Sequence, residues 1–230
     1  GSPAQPRISG DWRGEGLAVR ALDQGMRLER GKLLLELAVG ADGEQRLHVR
    51  ELSFESEQQP MPRALALAPG TDVAALSGRP GRVEASGELR FGSNDGVLNV
   101  RAERLGVTQR PDQWTLLSGT AELKLAAGML DIAGKIRFDA GYWQLAKAGA
   151  PQLSDDVFVR RAGGAAKKDA AAIRLLSIDV EADLGRNFHF RGAGVESRLV
   201  GTVRIQSDGT GIPRATGSIR TRDGLFDAYG

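Results

Sequence analysis

Cysteine is absent from all 230 residues, which removes disulfide staples and thiolate metal sites and fits an oxidising periplasm and a reducing cytosol equally well. Aromatic residues are scarce, at 5% against 41% hydrophobic residues overall. An apolar layer built from this sequence is therefore mostly Leu, Val, Ile, Ala and Gly, a smooth surface rather than a pocket with specific anchors. No run of about 18 apolar residues occurs, so nothing in the chain reads as a membrane-spanning helix. Neither sign of charge dominates: 31 basic and 29 acidic residues leave a net charge of +2, too little to steer a polyanion, and nucleic acid is excluded as the expected partner. A signal peptide is not visible, and the opening Gly1-Ser2 reads as an expression scar, so the chain is expected to be an excised segment of a larger protein.

Against these absences stands one recurrent signal. Five times a glycine opens a run that alternates apolar and polar residues: Gly87-Glu-Leu-Arg-Phe91, Gly119-Thr-Ala-Glu-Leu123, Gly134-Lys-Ile-Arg-Phe138, Gly201-Thr-Val-Arg-Ile205 and Gly217-Ser-Ile-Arg-Thr221. Side chains alternate faces along a strand, so each run places aliphatic groups on one side and charges on the other. The fold class expected is all-β: a long, strongly bent antiparallel sheet with an apolar concave interior and little or no helix.

Residues 1–10 read as a scar and lead-in, and 11–230 as a single elongated β domain. Strands are expected at Lys32 to Val39 and Gln45 to Phe54, joined at Gly40–Gly43. The apolar phase of the second switches from Leu47 and Val49 to Leu52 and Phe54, which predicts a β-bulge near Arg50. The Pro-rich stretch from Gln58 to Gly81 has room for one helical turn at Ala64–Leu67, ended by Pro69 and Gly70. A meander follows from Arg82, then pairs about Ser93–Gly96 and Ala126–Gly128. The Ala/Gly/Lys/Arg segment 155–172 reads as a mobile loop, with a short helix through Ala170–Arg174. About fourteen strands spaced about 4.8 Å apart would make an uncurled sheet roughly 65 Å long, and sheets of that size curl or split.

Catalytic and metal-binding patterns are wanting. His48 and His189, the two histidines, fall on the polar face by parity and read as surface residues, with no carboxylate or second histidine at ligand spacing. No Gly-x-Ser-x-Gly elbow occurs, and Gly192-Ala-Gly194 lacks the third glycine of a dinucleotide fingerprint. Asp155-Asp156 and the basic residues Arg160, Arg161, Lys167 and Lys168 read as a solvated loop. Arg90, Arg137, Arg204 and Arg220 keep the sheet soluble and discourage edge pairing. The chain is expected not to be an enzyme, and neither a catalytic residue, a metal site nor a cofactor is expected.

One segment is more specific. Asp183-Leu-Gly-Arg-Asn-Phe-His-Phe-Arg-Gly-Ala-Gly194 leads to Leu199 and Gly201, and the chain closes with Ala228-Tyr229-Gly230. This resembles the C-terminal domain of the TamB family, the translocation and assembly module proteins of the AsmA-like group. The family pattern is L-G-x-N-F-x-F-x-G-x-G, then L-x-G strands, then a G-x-F/Y-x-A-Y-G strand. Leu184, Gly185, Asn187, Phe188, Phe190, Gly192, Gly194, Leu199, Gly201 and Ala228-Tyr229-Gly230 match it; the specific match covers roughly the last fifty residues. The family's extreme C-terminus, implicated in docking to the outer-membrane partner, has no counterpart among these residues, so that contact region is expected to lie outside the fragment.

The resemblance implies a periplasmic segment of an outer-membrane biogenesis protein in a diderm, Gram-negative bacterium, anchored in the inner membrane by an N-terminal segment. It implies a bent sheet called a β-taco, a partner in the TamA-like outer-membrane barrel of the Omp85 class, and a cargo of phospholipid or outer-membrane β-strands. Two functions follow: an apolar groove that shields or conducts phospholipid or another amphipath between the membranes, or a chaperone-like scaffold for β-barrel and autotransporter assembly. A closed sandwich without ligand is the third possibility. By parity the groove lining comprises Leu89, Phe91, Leu98 and Val100; Leu123, Leu125, Ile132, Ile136 and Phe138; Ile178, Val180, Phe188 and Phe190; and Val203 and Ile205. Glycines 87, 134 and 201 thin that lining and let the sheet bend.

Overall fold

The computed structural model describes residues 9–40, 43–145, 175–208 and 212–226. Eleven strands form a single sheet: β1 Gly10–Ala21, β2 Met26–Val39, β3 Gln45–Glu57, β4 Gly81–Arg90, β5 Asp95–Gln109, β6 Gln113–Ala126, β7 Met129–Gln144, β8 Leu175–Asp183, β9 Phe188–Gly192, β10 Val195–Ser207 and β11 Arg214–Phe226. Their order is β1-β2-β3-β4-β5-β6-β7-β8-β10-β11, with β9 bridging β7 and β10 beyond the end of β8. Helix among the described residues amounts to a 3-10 turn at Leu22–Gln24 and two four-residue turns, α1 Arg63–Ala66 and α2 Val73–Leu76. The chain is all-β, as its alternation predicts.

Several sequence expectations change in detail. The described strands number eleven rather than about fourteen, because β5, β6 and β7 run for 15, 14 and 16 residues and take up the length shorter strands would have used. Pairing is antiparallel except that β8 and β9 lie parallel to β7. A parallel neighbour requires a long return of the chain, and the sequence separation between Gln144 and Leu175 is long enough for one. β1 and the first half of β2 were not marked by clean alternation; register shifts flank Leu17 and break its phase. The bulge near Arg50 is present: Leu35 pairs Val49 while Leu34 pairs Glu51, leaving Arg50 as the extra residue. The helical turn expected at 64–67 is α1, and beyond Pro69-Gly70 Asp72 caps α2, accepting a bond from Ala75 N–H at 3.0 Å. The loop and short helix expected at 155–174 lie outside the described residues.

The sheet is bent hard at one end. β2 touches β5 past β3 and β4, and β3 touches it past β4, although in a flat sheet they would stand about 14 and about 10 Å from it. Close backbone approach accompanies this: a Cβ on Gly81, at the start of β4, would overlap the Arg104 carbonyl oxygen of β5, and Gly25, just before β2, abuts Gln109 at the end of β5.

The compact core lies at that same end and on one side. Residues 58–80 leave β3, cross the sheet, and return to β4, the strand beside β3. Leu65 and Leu76 from this strap close over Trp114, Leu116, Ala140 and Tyr142. Trp114 Nε1–H donates to Gln59 O at 3.3 Å, and Gln59 N–H donates to Gln109 Oε1 at 2.9 Å. Arg104 donates to Ala75 O and Leu76 O at 2.9 and 2.8 Å, satisfying carbonyls at the end of α2.

Candidate functional site

Away from the strap, the register stacks aliphatic residues into rows running straight across the sheet. One row reads Leu33, Leu52, Ala85, Val100, Ala121, Gly134, Val180, Ile205, Ala215 over nine strands. Its neighbour reads Phe54, Val83, Ala102, Gly119, Ile136, Ala182, Val203, Gly217. On the other side run Leu35, Val49, Gly87, Leu98, Leu123, Ile132, Ile178, then Leu47, Leu89, Gly96, Leu125, Leu130. With strands about 4.8 Å apart and rows about 7 Å apart, the four rows cover a strip roughly 20 Å wide and, row by row, roughly 20–40 Å long. That is more contiguous apolar surface than the few hundred Å² a soluble monomer ordinarily exposes.

The expected lining residues fall on this face with different exposures. Leu89, Leu98, Val100, Leu123, Leu125, Ile132, Ile136, Phe138, Ile178, Val180, Phe190 and Val203 are half-buried, shielded by their row neighbours. Phe188 is buried: its ring meets Phe138 edge-on at 5.2 Å and Trp143 at 5.9 Å, forming an aromatic end to the strip. Phe91 lies beyond the end of β4 in the turn, 53% exposed, and Ile205 is exposed near the β11 edge. Trp143, opposite Phe190 in the register, joins the strip through a β-bulge in β7 that alternation alone does not reveal.

The reverse face is charged and ordered by ion pairs. Arg204 grips Asp179 through two bonds of 2.6 Å, Arg50 bonds Glu36 at 2.7 Å, and Lys135 lies 3.9 Å from Glu181. Arg204 holds the Asp179 carboxyl below its ordinary range, and Arg90 does the same for Glu88. A recess of about 1140 Å³ lies on this charged side, bordered by residues such as Glu84, Arg101, Glu122, Lys135 and Glu181. Its positive and negative groups alternate, so it presents no field of one sign to a charged ligand.

The two histidines differ from each other. His48 is half-buried and its Nδ1 lies 3.3 Å from Glu88. His189, expected at the surface, is on the polar side but only 8% exposed, because the tip of the strap covers it and Thr71 Oγ1 comes within 3.4 Å of its Nε2. Burial, reinforced by neighbouring Arg198, pushes its pKa down. Among the described residues no group of His, Asp or Glu is arranged to hold a metal, and no helix is long and apolar enough to cross a membrane.

The Leu-Gly-x-Asn motif now has a structural meaning. Leu184 is buried, and Asn187 Nδ2 donates to Asp139 O at 3.2 Å. Gly185 turns with φ +66 so tightly against β7 that a Cβ would overlap the Phe138 carbonyl oxygen. The motif is the joint that steps the chain from β8 to β9, both parallel to β7, and so extends the sheet.

A family profile described as the TamB C-terminal domain matches residues 71–230, whereas no curated protein and no solved structure matches the chain. The match spans more than half of the chain, from the tip of the strap through β11 and beyond. The chain belongs to the TamB C-terminal domain family, whose domains are periplasmic in Gram-negative bacteria and serve outer-membrane biogenesis.

Proposed function

We propose that this domain carries acyl chains along its apolar strip, shielding phospholipid or a similar amphipath as it passes between the inner and outer membranes. The observation that supports this reading is the set of four adjoining aliphatic rows, mostly half-buried and free of specific anchors, that share β3 to β7 and extend beyond them in three rows. Attraction between such a surface and an acyl chain is non-directional, so a bound chain slides from row to row without breaking particular contacts. In this reading the full-length protein is anchored in the inner membrane, a TamA-like barrel receives its far end, and no chemical step is catalysed.

A second reading has its own support. β11 is exposed along its whole length and pairs only with β10 among the described residues. Its other edge could add a strand of an unfolded outer-membrane protein, the chaperone-like alternative.

Adjacent residues on opposite faces of β5 separate these readings. A purified domain carrying Val100→Asp is expected to stay folded and lose binding of a fluorescent phospholipid, while Arg101→Asp retains it. Equal binding in both variants contradicts the acyl-chain reading. Unfolding of Val100→Asp would instead mark the strip as a closed core.

A further inference from the structure

The strap's route is longer than its topology requires. β3 and β4 are neighbours, yet residues 58–80 travel out to β9 and β10 before returning. A tight turn would have joined two adjacent antiparallel strands. The tip touches down at Gly70 and Thr71. Gly70 adopts φ +79, and a Cβ there would stand 2.9 Å from Arg198 Nη1, so the backbone rests directly on that guanidinium. Thr71 meets His189 at 3.4 Å. The strap therefore ties the β3–β4 side of the sheet to β9 and β10, a span of five or six strand spacings, or on the order of 25–30 Å along a flat sheet.

We propose that the strap tip is an acid-sensitive latch, docked on β9 and β10 while the His189 imidazole is neutral and released when it gains a proton. This proposal is independent of what the apolar strip carries.

The surroundings of His189 determine the direction. From β10 come Arg198 and Glu196, and from β11 Asp223, which pairs with Arg198. β9 supplies Arg191, paired with Glu196 at 3.5 Å. β7 supplies Tyr142, opposite His189 in the register, with its hydroxyl donating to Gln144. The strap supplies the uncharged Thr71 and, one residue on, Asp72, whose carboxylate is occupied with Ala75 N–H. No carboxylate bonds the imidazole directly among the described residues, and the nearby acids are already engaged with arginines. A proton on His189 would thus place a second cation beside Arg198 under a cover that excludes water.

Undocking returns His189 to water and its ordinary pKa near 6.5. A histidine whose pKa is lower docked than free holds fewer protons when docked, so docking is strongest above that ordinary value and weakens as pH falls through it. Docking is also incompletely satisfied: Arg198 Nε, on the side chain beneath the strap tip, is buried without a partner. Release hydrates it. The shoulders of the strap, pinned by Leu65 and Leu76, remain in the core while the tip lifts.

The absence of cysteine makes the test direct. Pro69→Cys, beside the strap tip, and Arg220→Cys, both at exposed positions, carry spin labels in the otherwise wild-type chain, and double electron–electron resonance reads their separation. Lowering the pH from about 7.5 to about 5 is expected to remove more than about half of the short, narrow distance population reversibly, a range in which histidine is the side chain that titrates. The same labels with His189→Asn, or His189→Gln should the first not fold, are expected to keep the short population throughout. An unchanged distribution in the otherwise wild-type chain, or an equal loss in the His189 variant, would overturn the latch.

Discussion

Trp114 and Leu123 lie nine residues apart on one strand, β6, and belong to different kinds of surface. Trp114 is 1% exposed, enclosed by the strap and hydrogen-bonded to it. Leu123 sits in the open strip, half-buried by Leu98 and Ile132 alongside and by nothing else that the cross-strand register supplies. The strand packs a core at its strapped end and carries half-buried, uncovered aliphatic side chains at its open end. A sheet with an uncovered apolar face is otherwise a liability for solubility. Here the charged reverse face and the localised core let the domain fold without closing the strip.

That contrast can be broken most sharply at the packed end. Trp114→Ala removes the largest fully buried side chain and is expected to cost about 3–5 kcal/mol, read from the urea midpoint. Leu116→Ala and Leu123→Ala compare identical chemistry on one strand: the first should cost about 2–5 kcal/mol as a buried leucine, the second nearer 1 kcal/mol because much of its surface is already wet. Equal costs would mean that the strip is packed after all. Gly87→Ala forces a methyl against the Val97 carbonyl and should cost roughly 1–3 kcal/mol by the same measurement. The smallest effect belongs to the charged face. The Asp179 carboxyl is held low by Arg204, so the stability it contributes is present above its ordinary pKa of 3.8 and is lost as pH falls below it. Arg204→Gln should shift only the acid limb of the stability profile, and added salt should erase the difference, since the pair is solvated.

The open strip was legible in the sequence because its signal is local. Val100, Ile136 and Val203 reach one face by period-two alternation alone, and the phase switch between Val49 and Leu52 located the bulge at Arg50. The packed end was not legible in this way. Trp114, Leu116 and Tyr142 join Leu65 and Leu76 through a strap whose path no local pattern records, and the same strap turned His189 from an expected surface residue into a buried one. Phe138 lies in the strip but at its aromatic end, against the buried Phe188. Its contact with Phe188 means that Phe138→Asp tests packing together with binding, and Val100 is the cleaner position.

The most direct test is in-cell photocrosslinking in the full-length parent protein, with a photoreactive residue placed in turn at Ile132, Ile136, Lys135 and Arg137 and the adducts identified by mass spectrometry. These positions alternate between the two faces of β7. The account predicts phospholipid adducts from Ile132 and Ile136 and none from Lys135 and Arg137. Adducts confined to the protein itself, or lipid captured equally from both faces, would contradict it.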